Sequence, residues 1–277
     1  MNRREFFASS AVSAMTAVTV GSGMSSGAEV STAAVFEDKY ELNEGIAVGA
    51  YELRKYILKS ANQLERLHDY FKTAFIPTAR RLGTGPVGVF ELVATTDTPV
   101  VYVLIPHRTA ASVLEFPVAL AKSKEHLALG ATFWNVMPSE ASYVRIESSL
   151  MTPFAGMAKL ETPDINSSRI FELRTYESHS ERAGIKKVEM FNIGEIEIFR
   201  RSGLTPVFFG QTVIGAKLPN LTYMLTYPDM SVHGIAWKKF IADPEWKKLS
   251  KTPGFTDPEI VSNITNVFLK PTLYSQI

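Results

Sequence analysis

The sequence predicts an α+β fold: tandem ferredoxin-like (βαββαβ) repeats that form a pseudo-dimeric α/β barrel. Three observations carry this reading. The 277-residue chain is 45% hydrophobic and 21% charged, with a net charge of +1, which is the balance of a globular protein. An internal repeat relates residues 51–87 to residues 171–207 without a gap. Each copy then runs strand, helix, strand, strand, helix, strand, the split βαβ order. Such a unit covers one face of its sheet with helices, so two copies in one chain can bury the remaining faces against each other.

The elements follow in order. Tyr51-Glu52-Leu53-Arg54-Lys55-Tyr56 matches Phe171-Glu172-Leu173-Arg174-Thr175-Tyr176, and both read as strands. A helix follows, with Leu64, Leu67, Phe71 and Phe75 in one copy and Ile185, Val188, Phe191 and Phe199 in the other at roughly helical spacing. Pro77 is expected to kink or split the first of these. Arg80-Arg81 and Arg200-Arg201 precede Gly83 and Gly203, a basic last turn before a C-capping glycine. Second strands are expected at 87–94 and 207–213, and third strands at 100–105 and 221–227, the third strands aligning with a one-residue shift. A second helical region contains Trp237 and Phe240, and Asp243-Pro244-Glu245-Trp246 opens a fresh helix with Asp as cap and Pro in the first turn. Last strands near 143–147 and 264–269 close the units. The expected organisation is therefore a first repeat at 49–147, a linker at 148–168 and a second repeat at 169–277.

The N-terminus carries an address. Arg3-Arg4-Glu5-Phe6-Phe7 resembles a twin-arginine export signal, with Asn2 and Phe7 as mild departures. An uncharged stretch follows to Ala28, too diluted by Ser and Thr for a membrane span, and Ser26-Gly27-Ala28 offers small residues for cleavage. Residues 1–28 are read as the signal peptide and 29–48 as a leader, which implies a periplasmic or extracellular protein with no membrane span in the mature chain. Retention of residues 1–28 as an anchor is the alternative.

The absence of cysteine excludes disulfides, thiol nucleophiles and thiolate metal sites. The near-neutral charge gives no footprint for nucleic acid. Histidine spacing offers no metal motif, and no phosphate-binding glycine loop or serine elbow is present.

The second copy also carries a resemblance. Phe171-Glu172-Leu173-Arg174-Thr175-Tyr176, Pro206-Val207-Phe208-Phe209-Gly210, Leu218-Pro219-Asn220-Leu221-Thr222-Tyr223-Met224-Leu225 and Asp243-Pro244-Glu245-Trp246 together resemble the NIPSNAP family of the dimeric α/β barrel superfamily. The first copy keeps Glu52-Leu53-Arg54-x-Tyr56 and Gly85-Pro86-Val87-Gly88 but lacks the Asp-Pro-x-Trp segment. Family members often have an arginine near the position of His233, so an anion-binding role there does not carry over. The resemblance implies the barrel fold and a homo-oligomer through strand edges. It implies no single reaction, because the superfamily hosts several monooxygenase, isomerase and haem chemistries.

Alternation along a strand puts Glu52, Arg54 and Tyr56 on one face, and Glu172, Arg174 and Tyr176 on one face of the other copy. The expectation is that the apolar residues between them pack under the helices and the polar sets point into the barrel interior, to hold a small organic molecule. Tyr223, His107 and His233, on or just after the third strands, complete the candidate ligand-binding set. Alternatives remain: a salt-bridged polar layer in a non-catalytic interaction or scaffold protein, or haem binding with His68, His107 or His233 as axial ligand. Trp237, Phe240 and Trp246 read as helix core.

Overall fold

The computed structural model describes residues 45–94 and 96–277; the signal peptide reading at 1–28 falls outside them. In the first repeat, strands β1 (Ile46–Ala47) and β2 (Ala50–Ile57) lead into helix α1 (Ala61–Tyr70), a π-helical turn (Phe71–Phe75) and α2 (Ile76–Arg81). Strands β3 (Gly88–Leu92) and β4 (Val100–His107) follow, then α3 (Ala110–Lys122), α4 (Lys124–Leu129), α5 (Ala131–Trp134) and β5 (Arg145–Pro153). A short β6 (Lys159–Leu160) pairs with β1. The second repeat runs β7 (Ile170–Glu177), α6 (Glu181–Met190), a π-helical turn (Phe191–Glu195), α7 (Ile196–Ser202), β8 (Thr205–Ile214) and β9 (Asn220–Tyr227). It ends with α8 (Met230–Ala242), α9 (Pro244–Leu249), α10 (Asp257–Ile260) and β10 (Asn263–Pro271).

The eight long strands close into one antiparallel barrel, ordered β10-β3-β4-β2-β5-β8-β9-β7. Within each repeat the order is ferredoxin-like. Between repeats, β5 pairs with β8 and β10 with β3. The fold class read from sequence is thus present in a single chain. These closing ladders are short, so Arg145–Ser149 of β5 and Asn263–Phe268 of β10 pair with a strand on one side only.

The local signals explain the elements. Ser60 and Ser180 accept hydrogen bonds from Gln63 N and Ala183 N and so start equivalent helices. Asp243 caps α9 with Pro244 in its first turn. Gly203 ends α7 at φ +87°, a left-handed conformation that a side chain would strain. Pro77 does not break the helix as expected. It sits in the first turn of α2, where a missing N–H costs little. The same π-helical turn occurs at 191–195 with no proline, so the turn belongs to the fold and not to Pro77.

Two further expectations change. The segment 148–168 is not simply a linker, because β5 runs on to Pro153 and pairs there with β8. Polar Ser148 and Ser149 conceal the strand in the sequence. The third strands also need no one-residue shift: Val103 faces Arg54 and Tyr223 faces Arg174, so Val103, not Tyr102, is the counterpart of Tyr223.

All eight barrel strands contribute to one apolar interior, which includes Tyr51, Phe90, Met151, Phe171, Phe208 and Met224. Separate apolar layers lie between the sheet and the helices of each repeat. The second layer holds an ion pair: Lys187 Nζ donates to Glu195 Oε2 at 3.0 Å, with both residues buried. The Lys187 ammonium also sits 4.9 Å from the Phe191 ring and 5.3 Å from the Tyr176 ring. The repeat relation places Leu67 and Phe75 at these two positions in the first copy. Removing one partner strands the other in the core, whereas an apolar pair that fits removes both charges together. Lys187→Met is expected to lower the unfolding free energy by about 3–5 kcal/mol. The double variant Lys187→Leu/Glu195→Phe, measured by the same chemical denaturation, should recover most of that loss.

Candidate functional site

The orientation of the polar strand faces is the reverse of the sequence expectation. Tyr51, Leu53, Phe171 and Leu173 fill the barrel interior. Glu52, Arg54 and Tyr56, and likewise Glu172, Arg174 and Tyr176, face outward beneath the helices, where Tyr56 and Tyr176 join the sheet–helix layers. The physical reason is the closed barrel. Its interior is filled by apolar side chains from all eight strands, and a charged pair there would lack the donors that the helices supply on the outer face. The interior is lined by apolar side chains, and the candidate polar residues do not point into it.

In the second repeat the Glu172 carboxylate is buried and crowded with donors. Oε1 accepts from Arg174 Nη1 and from Asn266 Nδ2, each at 2.8 Å. Oε2 accepts from Tyr227 Oη and Trp237 Nε1, each at 2.9 Å, with His233 Nε2 at 3.2 Å. The Trp237 indole lies over Arg174, 4.8 Å from guanidinium to ring. Arg174 Nη2 donates to Tyr176 Oη at 3.2 Å, and Tyr223 Oη donates to Tyr176 Oη at 3.1 Å. Glu172, Arg174, Tyr176, Tyr223 and His233 are thus brought together. His233 is carried by α8 and not by a loop.

The first repeat builds the same motif with fewer partners. Arg54 grips Glu52 twice, Nε to Oε1 at 2.7 Å and Nη2 to Oε2 at 2.9 Å. Ser148 Oγ adds one bond to Oε1 at 2.9 Å. His107, the counterpart of Tyr227 in the ladder, stands 3.6 Å from Oε2, a longer contact than Tyr227 makes with Glu172. Pro117 occupies the position of Trp237 under the repeat relation, so no indole covers Arg54. The consequence is a cavity of about 490 Å³ between sheet and helices. Arg54 and Tyr56 form its floor; Tyr70, Phe133 and Trp134 form an aromatic wall; Met137, Tyr143 and Ile146 lie toward its rim. Tyr70 stacks on Phe133 at 4.1 Å and accepts from Trp134 Nε1 at 3.1 Å, which fixes that wall. The volume falls within the range of small-molecule pockets.

The candidate residues therefore divide. Arg54 and Tyr56 line the cavity, Glu52 and His107 lie behind them, and the second-repeat set is closed over itself. Tyr70, Trp134, Phe133 and Pro117 were not singled out from sequence. The available signal was Pro117, a helix-breaking residue inside a helical run at the position of Trp237. The three candidate haem ligands do not fit a cofactor here. His68 is held by Tyr274 through Nδ1 and by Glu91 through Nε2 at 3.1 Å. His107 and His233 face buried carboxylates, and none of the three lines the cavity. Among the described residues no cluster of three His, Asp or Glu side chains is arranged for a metal, and no helix is long and apolar enough to cross a membrane.

Burial raises the Glu52 carboxyl, but His107, Arg54 and Ser148 outweigh it and hold it down at about 2. A carboxyl depressed in the folded state contributes stability above its ordinary value near 4.5 and loses it as pH falls toward 2. Compared with Glu52→Gln, the wild-type protein should lose an additional 2 kcal/mol or so of unfolding free energy between pH 7 and pH 3. Parallel denaturation curves at the two pH values measure it, and equal losses would contradict the assignment.

Comparison with known proteins places this geometry. The NIPSNAP family model matches residues 171–276. A structure from Lactobacillus acidophilus, described as a candidate monooxygenase, superposes with a TM-score of 0.54 at 11% identity, covering 81% of this chain and 94% of that one. One from Fusobacterium nucleatum with the same description gives 0.50 at 9% identity, covering 81% and 93%. At such identities the likeness is one of fold. A NIPSNAP-like domain protein from Burkholderia xenovorans is 21% identical over 39% of this chain and 90% of its own, with a TM-score of 0.36. A search of curated proteins returns no match. The barrel fold is shared with the two superposed structures, and the second repeat, residues 171–276, is the part of the chain that matches the NIPSNAP family model.

Proposed function

We propose that the protein binds a small, largely apolar organic molecule in the sheet–helix cavity of its first repeat, with Arg54 as the polar anchor. The observation that carries this is the cavity itself, about 490 Å³, with a guanidinium on its floor and aromatic rings on its wall. Burial pushes the Tyr56 and Tyr70 hydroxyls above their ordinary range, so both remain protonated and serve as hydrogen-bonding groups rather than bases. The lining includes no carboxylate and no imidazole, so the reading is one of binding, with no acid–base pair assigned. Export through the twin-arginine route, with cleavage before Glu29, belongs to the same proposal; it rests on the N-terminal sequence alone.

Ile146 lies on the cavity-facing side of β5 at the rim, where a larger ring would fill the opening. Small aromatic and aliphatic probes should quench or shift Trp134 fluorescence saturably in the wild-type protein. Ile146→Trp should weaken that binding at least tenfold, and unchanged affinity would contradict the site. For the address, the intact mass of protein recovered from native export should equal Glu29–Ile277. A mass that retains residues 1–28 would contradict cleavage.

A further inference from the structure

The two repeats give their strand tyrosines different company. In the second repeat Tyr176 Oη accepts from Arg174 Nη2 at 3.2 Å and from Tyr223 Oη at 3.1 Å. In the first repeat Tyr56 holds the same place in the motif, and Val103 occupies the ladder position of Tyr223. The second phenol is therefore missing. Tyr56 is only 2% exposed and lines the cavity. Its hydroxyl lies within electrostatic reach of Arg54, Tyr70 and Tyr143, which line the same cavity. Its hydrogen-bonding neighbour is the Arg54 guanidinium. A guanidinium only donates, so it can serve the phenol oxygen but not the phenol proton. Among the described residues no acceptor is bonded to that proton.

Two other donors of the lining are already engaged. The Trp134 indole N–H donates to Tyr70 Oη at 3.1 Å, and Ser142 Oγ donates to the Phe133 carbonyl at 2.8 Å. Arg54 commits Nε and Nη2 to Glu52, so its charge is matched and Nη1 remains to donate. We propose that the cavity takes a neutral carbonyl compound with an apolar body, a ketone, lactone or amide, whose oxygen accepts from Tyr56 and Arg54 together. This rests on the binding reading above and adds to it the ligand's functional group. A carbonyl oxygen has two lone pairs and can take both donors at once. A ligand that brought a donor instead would find no carboxylate or imidazole in the lining. An anion would gain little, because Glu52 already neutralises Arg54. The bound carbonyl also ends the cost of a buried hydroxyl without an acceptor.

The test is calorimetric titration of the purified protein with 2-acetylnaphthalene and 2-isopropenylnaphthalene, which differ by a methylene in place of the carbonyl oxygen. Tyr56→Phe should weaken binding of the ketone about fivefold or more. Its affinity for the alkene should change less than about twofold, which also shows that the variant is folded. Infrared difference spectra supply a readout in the wild-type protein alone: the bound ketone's C=O stretch should lie below its frequency in an alkane. Undiminished ketone affinity in Tyr56→Phe, or equal losses of the two probes, overturns Tyr56 as the donor. A bound carbonyl that absorbs as it does in an alkane, or binding of the alkene without the ketone, overturns the carbonyl inference and leaves the binding reading standing. Failure of the wild-type protein to bind either probe overturns both together.

Discussion

A carboxylate set beside a guanidinium under a layer of helices must be satisfied by whatever that layer supplies, and much of this structure follows from how each repeat meets that demand. The strand pattern Glu-x-Arg-x-Tyr fixes the pair on one face of the sheet. Barrel closure then decides which face. Eight strands converge on a volume that only apolar side chains can fill at native density, so the charged face turns outward. From there the helices either supply donors, as Trp237 on α8 does together with Tyr227 and Asn266 on the neighbouring strands, or leave space.

Duplication lets one chain adopt both solutions. The second repeat is consolidated: its carboxylate is saturated, its guanidinium is covered, and a Lys187–Glu195 pair is sealed among aromatic rings. The first repeat keeps an apolar pair at those positions and opens a cavity where the indole is missing. Closing the barrel through β5–β8 and β10–β3 ties the open repeat to the consolidated one along two strand pairs. A rigid framework of this kind can hold an aromatic wall in place before a ligand arrives, which lowers the cost of binding.

Much of the fold was legible in the sequence, and the reasons are specific. The repeat of Glu-Leu-Arg-x-Tyr and the Arg-Arg-x-Gly caps set the period and the element order, because strand alternation and helix termination are local effects. The direction of the polar face was not legible. Alternation says which residues share a face but not which face is enclosed, and that depends on closure by strand pairs about 60 and about 180 residues apart. The course of β5 was hidden because Ser148 and Ser149 mimic a linker, although pairing with β2 and β8 makes them a strand. The site was half legible. Arg54 and Tyr56 came from the motif, whereas Tyr70, Phe133 and Trp134 come from helices and converge only in three dimensions. Pro117 was visible, and its meaning appeared only against Trp237.

The central claim is that the two homologous sites differ in occupancy by design: one is open, the other filled by its own tryptophan. The chain contains three tryptophans, Trp134 on the cavity wall, Trp237 over Arg174 and Trp246 in the second repeat's core. The most direct measurement is therefore a titration of ¹⁵N-tryptophan-labelled protein with 2-acetylnaphthalene, following the indole N–H resonances by NMR. The account predicts a saturable shift of the Trp134 resonance, with Trp237 and Trp246 unmoved. Displacement of the Trp237 resonance, or no shift in any of them, would contradict it.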